Sequence, residues 1–370
     1  MGMSGENRIS AITGLGQSLW LDFIRRSILD NGELDGHVRD GVRGLTSNPT
    51  IFEKAIDGSD DYDTAIRAFG KDDVQALYDH LTVGDITRAA DVFRPVYDQT
   101  GGTDGFVSLE VSPLLARDTE RTVSEAERLW KAVDRPNLMV KVPATEAGVP
   151  AIRRLIADGL NINVTLIFSL TRYRDVMAAY MGGLEDRLAA GGRIDGINSV
   201  ASFFVSRVDT LVDQKLESLE GQHPEAKNLR GQAALANAKL AYRLFQDMAA
   251  SPRWQALQEH GAHLERPLWA STSTKNPAYP DLLYVDNLIG PHTVNTVPPA
   301  TLDAIADHAV AARTVDAGVD EAERALRGLQ ALGISMDAVT AQLEQEGVAS
   351  FEASFKTLMD GLAKKARQLA

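Results

Sequence analysis

The stretch that most constrains the fold of this chain is NLMVKVPAT at positions 137–145. Side chains alternate between the two faces of a strand, so apolar residues occupy both faces here and Lys141 interrupts one of them. Apolar residues on both faces are typical of a strand buried in a parallel sheet, and Pro143 ends the run because it lacks a backbone donor. A charged amine in such a strand is unfavourable unless it is paired or loses its proton.

Two interpretations of Lys141 follow from this stretch alone. Burial lowers the pKa of a lysine, and a neutral amine is a nucleophile toward carbonyl groups, which predicts a catalytic residue. The alternative is a lysine at the end of the strand whose long side chain extends to water. The local sequence leaves both interpretations open.

The composition excludes several classes of function. The chain has 370 residues, 44% of them hydrophobic, a net charge of −13 and no cysteine. An acidic chain without a basic block is a poor candidate for nucleic acid or anionic membranes, and thiolate chemistry is impossible without cysteine. Neither a signal peptide nor a membrane span is evident. We therefore expect a cytoplasmic protein with no nucleic-acid or membrane partner, either a monomer or a homodimer.

Eight apolar segments of strand type alternate with segments of helical periodicity, which predicts a parallel α/β architecture. A (β/α)₈ barrel occupies about 250 residues before insertions and fits this pattern. A doubly wound sheet is the alternative, but no Gly-x-Gly-x-x-Gly motif follows a strand. The predicted strands are Ser18–Ile24, a segment within 42–50, Gly105–Val111, the stretch at 137–143, Leu160–Phe168, Ser199–Val205, Arg266–Ser271 and His292–Thr296.

We expect a single barrel domain over residues 1–370, with a helical insertion at about 210–266 and C-terminal helices at about 302–370. Helical spacing from Ile51 to Gln99 is predicted to break near Gly70 and Gly84. Asp118 and Ser169 precede apolar helical patterns, which predicts that they are N-caps.

Polar residues lie at, or just past, the C-terminal ends of seven predicted strands. In a (β/α)₈ barrel these ends surround one mouth, where active sites are found. Their convergence favours the nucleophile interpretation of Lys141. The residues are Asp22, Asn48, Glu110, Lys141, Thr165, Ser202 and Lys275.

Four segments resemble the transaldolase family. GLTSNPTIF at 44–52 is similar to the family's signature around the second strand, and MVKVPAT at 139–145 to the stretch that holds its Schiff-base lysine. NINVTLIFS at 161–169 and SFFVSR at 202–207 resemble the fifth and sixth strand segments. The inserted and C-terminal helices are similar to the longer actinobacterial form of the family.

This resemblance implies a (β/α)₈ barrel that moves a dihydroxyacetone unit between sugar phosphates in the non-oxidative pentose phosphate pathway. The donor would be sedoheptulose 7-phosphate or fructose 6-phosphate, and the acceptor glyceraldehyde 3-phosphate or erythrose 4-phosphate. Neither a cofactor nor a metal would be needed. Lys141 would form the Schiff base and Asp22 would exchange the proton of the C4 hydroxyl. Glu110 and Thr165 would hold a water for proton transfer.

The resemblance also implies a set of substrate contacts. A lysine at position 275, where many family members have arginine, keeps the charge but loses the bidentate fork. Sugar contacts are expected from Asn48, Asn163, Ser202 and the pocket wall at Phe204, and phosphate contacts from Arg207 and Lys275.

Structural alternatives remain for several of these residues. They are a helix cap at Asp22, an Asx-turn at Asn48, and a buried ion pair without chemistry between Glu110 and Lys141. Two further functions also stay open at this point. One is a Schiff-base aldolase that releases free dihydroxyacetone, and the other is a non-catalytic barrel that binds sugar phosphates.

Overall fold

Eight parallel strands form a closed barrel in the computed structural model, which describes residues 7–70 and 73–369. The strands are β1 (Gln17–Asp22), β2 (Gly44–Thr46), β3 (Val107–Glu110), β4 (Leu138–Pro143), β5 (Ile162–Ile167), β6 (Ser199–Phe204), β7 (Arg266–Ala270) and β8 (Thr293–Val297). They follow chain order around the barrel, and β1 pairs with β8 to close it. The predicted (β/α)₈ barrel is therefore confirmed.

The strands are buried on both faces, as the apolar runs predict. Every residue of β4, β5 and β6 is buried, because helices cover the outer face and side chains fill the interior. At Gly44 in β2 there is no room for a side chain, since an added Cβ would lie 2.7 Å from the indole ring of Trp20. Trp20 is itself completely buried.

Helices surround the barrel and extend it at the C-terminus. In chain order they are α1 (Arg8–Gly14), α2 (Arg26–Asp30), α3 (Glu33–Asp40), α4 (Pro49–Asp57), α5 (Asp63–Phe69), α6 (Val74–Gln99), α7 (Thr119–Val133), α8 (Gly148–Ala157), α9 (Leu170–Ala189), α10 (Ser206–Leu219), α11 (Ala233–Ala249), α12 (Pro252–Glu259), α13 (Leu283–Asn287), α14 (Pro299–His308), α15 (Val319–Ala331) and α16 (Met336–Leu369). Short 3₁₀ turns occur at Pro113–Leu115 and Pro224–Leu229.

The predicted helix starts are confirmed. The side chain of Asp118 accepts a hydrogen bond from the backbone N–H of Arg121 and caps α7, and Ser169 caps α9 through Arg172. These bonds satisfy amides that have no partner inside the helix.

The predicted break at Gly84 is wrong, whereas α5 does end beside Gly70. Helix α6 continues through Gly84 from Val74 to Gln99. A glycine lowers helix stability by only about 1 kcal/mol relative to alanine. Burial of side chains such as Leu81 and Phe93 on the same helix outweighs that loss.

Several helices follow β6 and β8, in place of the single helix of a simple βα unit. Between β6 and β7 the chain forms α10, a 3₁₀ turn, α11 and α12, and after β8 it forms α14, α15 and α16. Helix α16 has 34 residues and packs against α4, α6 and β5, which brings it across the C-terminal ends of the strands. No helix in the described ranges is long and apolar enough to cross a membrane.

Candidate active site

A cleft of about 420 Å³ opens at the C-terminal ends of the strands. Residues from several strands, from the loop after β7 and from α16 surround it, so distant parts of the chain share one cavity. Its lining includes Asp22, Thr46, Asn48, Lys54, Lys141, Thr165, Ser202, Phe204, Arg207, Ser271, Ser273, Lys275, Thr296 and Phe351.

Lys141 is buried at the base of this cleft, with 5% of its surface exposed. Its amine donates a hydrogen bond to the carbonyl of Ser47 at 3.2 Å and lies 3.3 Å from Oε2 of Glu110. The register of β3 and β4 places Glu110 directly beside Lys141, and neighbours in a parallel sheet share a face. The lysine therefore does not extend to bulk water.

Two carboxyl groups face this amine from different strands. Burial raises the pKa of Glu110, although the charge of Lys141 acts to lower it. Burial also raises the pKa of Asp22, which the charges of Lys141 and Lys275 oppose. A raised pKa brings a carboxyl closer to the condition for acid–base catalysis, in which the group must both take up and return a proton.

Thr165 has a buried hydroxyl oxygen without a hydrogen-bond partner among the described residues. Oε2 of Glu110 also lacks a hydrogen bond there, although it lies at ion-pair distance from Lys141. Buried polar atoms of this kind are typical of sites that bind a water or a substrate. The backbone next to Thr165 is strained, because Leu166 has a φ of 60° at an irregularity of β5.

Asn163 lies beneath the cleft and is not among its lining residues. Its amide donates to the hydroxyl of Ser108 at 3.0 Å, and it accepts a hydrogen bond from the hydroxyl of Ser202 at 2.7 Å. Asn163 thereby orients Ser202, which does line the cleft. A direct contact of Asn163 with the sugar stays a prediction.

The structural alternatives have different outcomes for Asp22 and Asn48. Asn48 accepts a hydrogen bond from the backbone N–H of Ile51 and caps α4, while it also lines the cleft. Asp22 does not cap the next helix, because α2 begins after Arg25 and has no side-chain cap. The carboxyl of Asp22 is left for the cleft.

Positive charge is concentrated at one side of the cleft although the chain as a whole is acidic. Arg207 at the start of α10, Lys275 after β7 and Lys54 in α4 all line it. Burial lowers the pKa of Arg207. Burial also lowers the pKa of Lys275, and the positive charges of Arg207 and Lys54 add to that effect. Cations held near one another in this way favour an anionic ligand.

Sequence reasoning missed several lining residues, among them Lys54, Ser273 and Phe351. Lys54 lies on the helix that Asn48 caps, and helical spacing from that cap was the available signal. Ser273 accepts a hydrogen bond from the amine of Lys275 at 2.7 Å. No local signal marks Phe351, whose ring centre lies 5.9 Å from the amine of Lys141 although α16 is at the far end of the chain. Phe204, which was predicted, has its ring 5.5 Å from the guanidinium of Arg207.

No group of three or more histidine, aspartate or glutamate side chains that could hold a metal ion occurs within residues 7–70 and 73–369. The cleft presents the amine of Lys141, the carboxyl of Asp22, several hydroxyls and a patch of cations, and the carboxyl of Glu110 lies beside that amine.

Comparison with known proteins agrees with this geometry. The profile of the family described as Transaldolase/Fructose-6-phosphate aldolase matches residues 19–362. The chain belongs to this family. The match covers all eight strands apart from the first two residues of β1, and it reaches residue 362 within α16, so the resemblance seen in the four motifs is confirmed.

Relatives within the transaldolase family match the chain over its whole length. A transaldolase of Saccharopolyspora erythraea is 50% identical over 370 residues, which cover 99% of this chain and 100% of the relative. A transaldolase of Thermobifida fusca is 50% identical over 361 residues, covering 96% and 98%. One of Mycobacterium marinum is 46% identical over 374 residues, covering 100% of both chains.

Proposed function

We propose that this protein, a transaldolase, carries its dihydroxyacetone unit on Lys141. The observation that supports the proposal is a buried amine at the base of a cleft that Asp22 and a patch of cations also line, with the carboxyl of Glu110 3.3 Å from that amine. The substrates would be a ketose phosphate donor and an aldose phosphate acceptor, as in the non-oxidative pentose phosphate pathway.

The reaction begins when the amine of Lys141 attacks C2 of the donor ketone. The resulting carbinolamine loses water to give an iminium ion, and this loss requires a proton on the departing hydroxyl. Glu110, at 3.3 Å from the amine, and the free hydroxyl of Thr165 are placed to hold the water that carries this proton. The ring of Phe351, with its centre 5.9 Å from the amine, would limit the access of bulk water.

Cleavage follows because the iminium ion accepts the electron pair of the C3–C4 bond. Asp22 removes the proton of the C4 hydroxyl as that bond breaks, and the shortened aldose phosphate leaves. The three-carbon enamine stays attached to Lys141. It then attacks the carbonyl of the acceptor aldose, Asp22 returns the proton to the new hydroxyl, and hydrolysis of the iminium ion releases the product.

The remaining lining residues bind the substrate. Asn48 and Ser202 present an amide and a hydroxyl to the sugar, and Phe204 forms part of the wall. Arg207 and Lys275 bind the phosphate of either substrate, with Ser273 beside Lys275. Both substrates carry a phosphate, so one cationic site serves donor and acceptor in turn.

Borohydride trapping tests the role of Lys141. Treatment with fructose 6-phosphate and borohydride should add one reduced dihydroxyacetone unit, and peptide mapping should locate it on Lys141. Lys141→Met should remain unmodified under the same conditions. An unmodified wild-type enzyme, or an adduct on another lysine, would overturn the assignment.

The same enzyme preparation separates transfer from simple aldol cleavage, since the family profile includes both activities. A transaldolase consumes fructose 6-phosphate rapidly only when erythrose 4-phosphate is present and then forms sedoheptulose 7-phosphate. Steady release of free dihydroxyacetone without an acceptor would show an aldolase instead.

A further inference from the structure

The loop after β7 carries Lys275 into the cleft next to like charges. Burial lowers the pKa of Lys275, the charges of Arg207 and Lys54 lower it further, and the charge of Asp22 opposes them. Lys275 belongs to an exposed loop, and its amine donates a hydrogen bond to the neighbouring Ser273. The position of this amine beside Arg207 therefore depends on what holds the two ends of the loop.

One end of the loop is fastened to the start of α10. The backbone N–H of Ser206 donates to the carbonyl of Ser271 at 3.0 Å, and the hydroxyls of the two serines are 2.9 Å apart. Ser271 has a φ of 56°, a left-handed conformation that is unfavourable for a residue with a side chain and needs support from its surroundings. Arg207 follows Ser206 directly in α10. The hydrogen bonds between Ser206 and Ser271 therefore hold this end of the loop next to the residue that carries the guanidinium.

The other end of the loop is fastened to the same helix. The hydroxyl of Tyr279 donates to Asp213 at 2.6 Å, and the hydroxyl of Tyr284 donates to Asp209 at 2.9 Å. Asp209 and Asp213 are one helical turn apart on α10. We call these four residues the tyrosine clamp.

Each aspartate of the clamp also binds the inserted segment before and at the start of α11. Asp213 accepts the backbone N–H of Gly231 at 3.0 Å, and Asp209 accepts that of Ala234 at 2.8 Å. Gly231 has a φ of 68°, and an added Cβ would lie 2.9 Å from Cζ of Tyr279. The inserted segment therefore hydrogen bonds to the two aspartates from one side, while the two tyrosines hydrogen bond to them from the other.

We propose that the tyrosine clamp positions Lys275 beside Arg207 and thereby sets the affinity for the substrate phosphate, an inference that rests on the proposed function. Its members are positioning residues, because they act through Lys275 and do not line the cleft. Lys275 sits between the two attachment points on one helix, and that helix begins with Ser206 and Arg207. The phosphate site is thus built as one unit, and the inserted segment is part of its support.

The test compares a phosphorylated with an unphosphorylated donor of the same sugar. Tyr279→Phe combined with Tyr284→Phe removes two hydroxyls. It should lower the ratio of kcat/KM for fructose 6-phosphate to that for fructose roughly tenfold, as expected for losing hydrogen bonds to charged groups. Tyr180→Phe is the matched control. Its hydroxyl donates to the carbonyls of Ile197 and His263, which precede β6 and β7 at the opposite end of the strands, and it should leave the ratio unchanged.

A second variant disturbs the tyrosine clamp without removing a hydroxyl group. Gly231→Ala should displace Tyr279 and lower the same ratio. The affinity for inorganic phosphate should fall in both variants. It is measured from the rise in Tm as phosphate is added, which depends on binding to the folded protein. An unchanged ratio and an unchanged phosphate affinity in an enzyme that still traps fructose 6-phosphate on Lys141 would overturn the clamp. If the wild type failed to trap fructose 6-phosphate, the proposed function would be overturned. A fall in phosphate affinity in the clamp variants would still support the role of the tyrosine clamp in that case.

Discussion

The amine of Lys141 and the carboxyl of Glu110 lie 3.3 Å apart, and at most 6% of either side chain is exposed. A buried ion pair is a poor source of stability, because desolvation of both groups offsets their attraction. The pair does place a carboxyl, a group that can accept or donate a proton, directly beside the amine, as the proposed Schiff-base chemistry requires. The first two predictions concern the carboxyls that face this amine.

Replacement of Glu110 by glutamine keeps the shape of the side chain and removes its ability to exchange a proton. Glu110→Gln should slow formation of the iminium ion roughly 10²-fold or more, the usual contribution of a general acid or base. Rapid-quench borohydride trapping measures that step, and Lys141 should remain the residue labelled. Glu259→Gln, at the exposed end of α12, serves as the control. Equal trapping rates in wild type and Glu110→Gln would assign Glu110 a structural role only.

Asp22→Asn should separate binding from cleavage. The iminium ion should still form, but the C4 hydroxyl keeps its proton and kcat should fall roughly 10²- to 10⁴-fold. Mass spectrometry after borohydride should then find the intact hexose phosphate on Lys141 in place of the three-carbon fragment. Because burial raises the pKa of Asp22, the acidic limb of the wild-type pH–rate profile should lie above the ordinary range of an aspartate. A three-carbon adduct in Asp22→Asn would remove the residue from this role.

Arg207→Ala should weaken the binding of phosphorylated substrates selectively. Loss of a charged hydrogen-bonding partner corresponds to about 1.5–3 kcal/mol, or roughly 10- to 100-fold in KM for fructose 6-phosphate. The KM for fructose should change little, because fructose has no phosphate. Arg193→Ala, which removes an exposed arginine paired with Asp195, controls for a general change in charge. Equal effects on both sugars would show that Arg207 does not bind the phosphate.

Gly44→Ala should destabilise the barrel because the new methyl group would lie 2.7 Å from the indole of Trp20. Overpacking of this kind typically lowers the free energy of unfolding by about 1–3 kcal/mol. The loss should be smaller when Trp20 is replaced by leucine, which a double-mutant cycle in urea measures. Gly84→Ala is the matched control, since nothing lies within 4 Å of its added Cβ and the helix should gain stability. Additive effects of Gly44→Ala and Trp20→Leu would contradict the proposed clash.

Glu265 should make the fold sensitive to alkaline pH. Burial raises its pKa to about 8 from an ordinary value of 4.5, and its one hydrogen bond comes from Ser199. The folded state therefore binds this proton more tightly than the unfolded state. The associated stability is complete below pH 4.5 and is lost as the pH rises through about 8. Glu265→Gln should flatten this decline in Tm between pH 5 and 9, and parallel curves for wild type and variant would refute the prediction.

Much of the site could be predicted because parallel strands impose simple geometry. Apolar runs locate the eight strands. Polar residues at the C-terminal ends of these strands then converge on one mouth of the barrel, whatever the conformation of the loops. Asp22, Lys141 and Thr165 follow from this rule, and all three line the cleft. The contact between Glu110 and Lys141 also follows from adjacent strands in register.

Phe351 was missed because its position depends on packing between segments that are far apart in sequence. Phe351 reaches Lys141 because α16 folds back across the barrel, and no periodicity within α16 indicates where that helix will lie. Gly84 is the opposite case, where a local preference was outweighed by tertiary contacts. The hydroxyls of Tyr279 and Tyr284 are bound by aspartates on a different element, and pairing of this kind leaves no local pattern.

The pairing of β1 with β8 has a consequence for synthesis of the chain. While the ribosome is still translating, β1 has a partner on one side only, and β8 is completed only at Val297. An unpaired strand edge is a template for association with other chains. Any sheet that forms from the earlier strands therefore keeps two unpaired edges until β8 has been made.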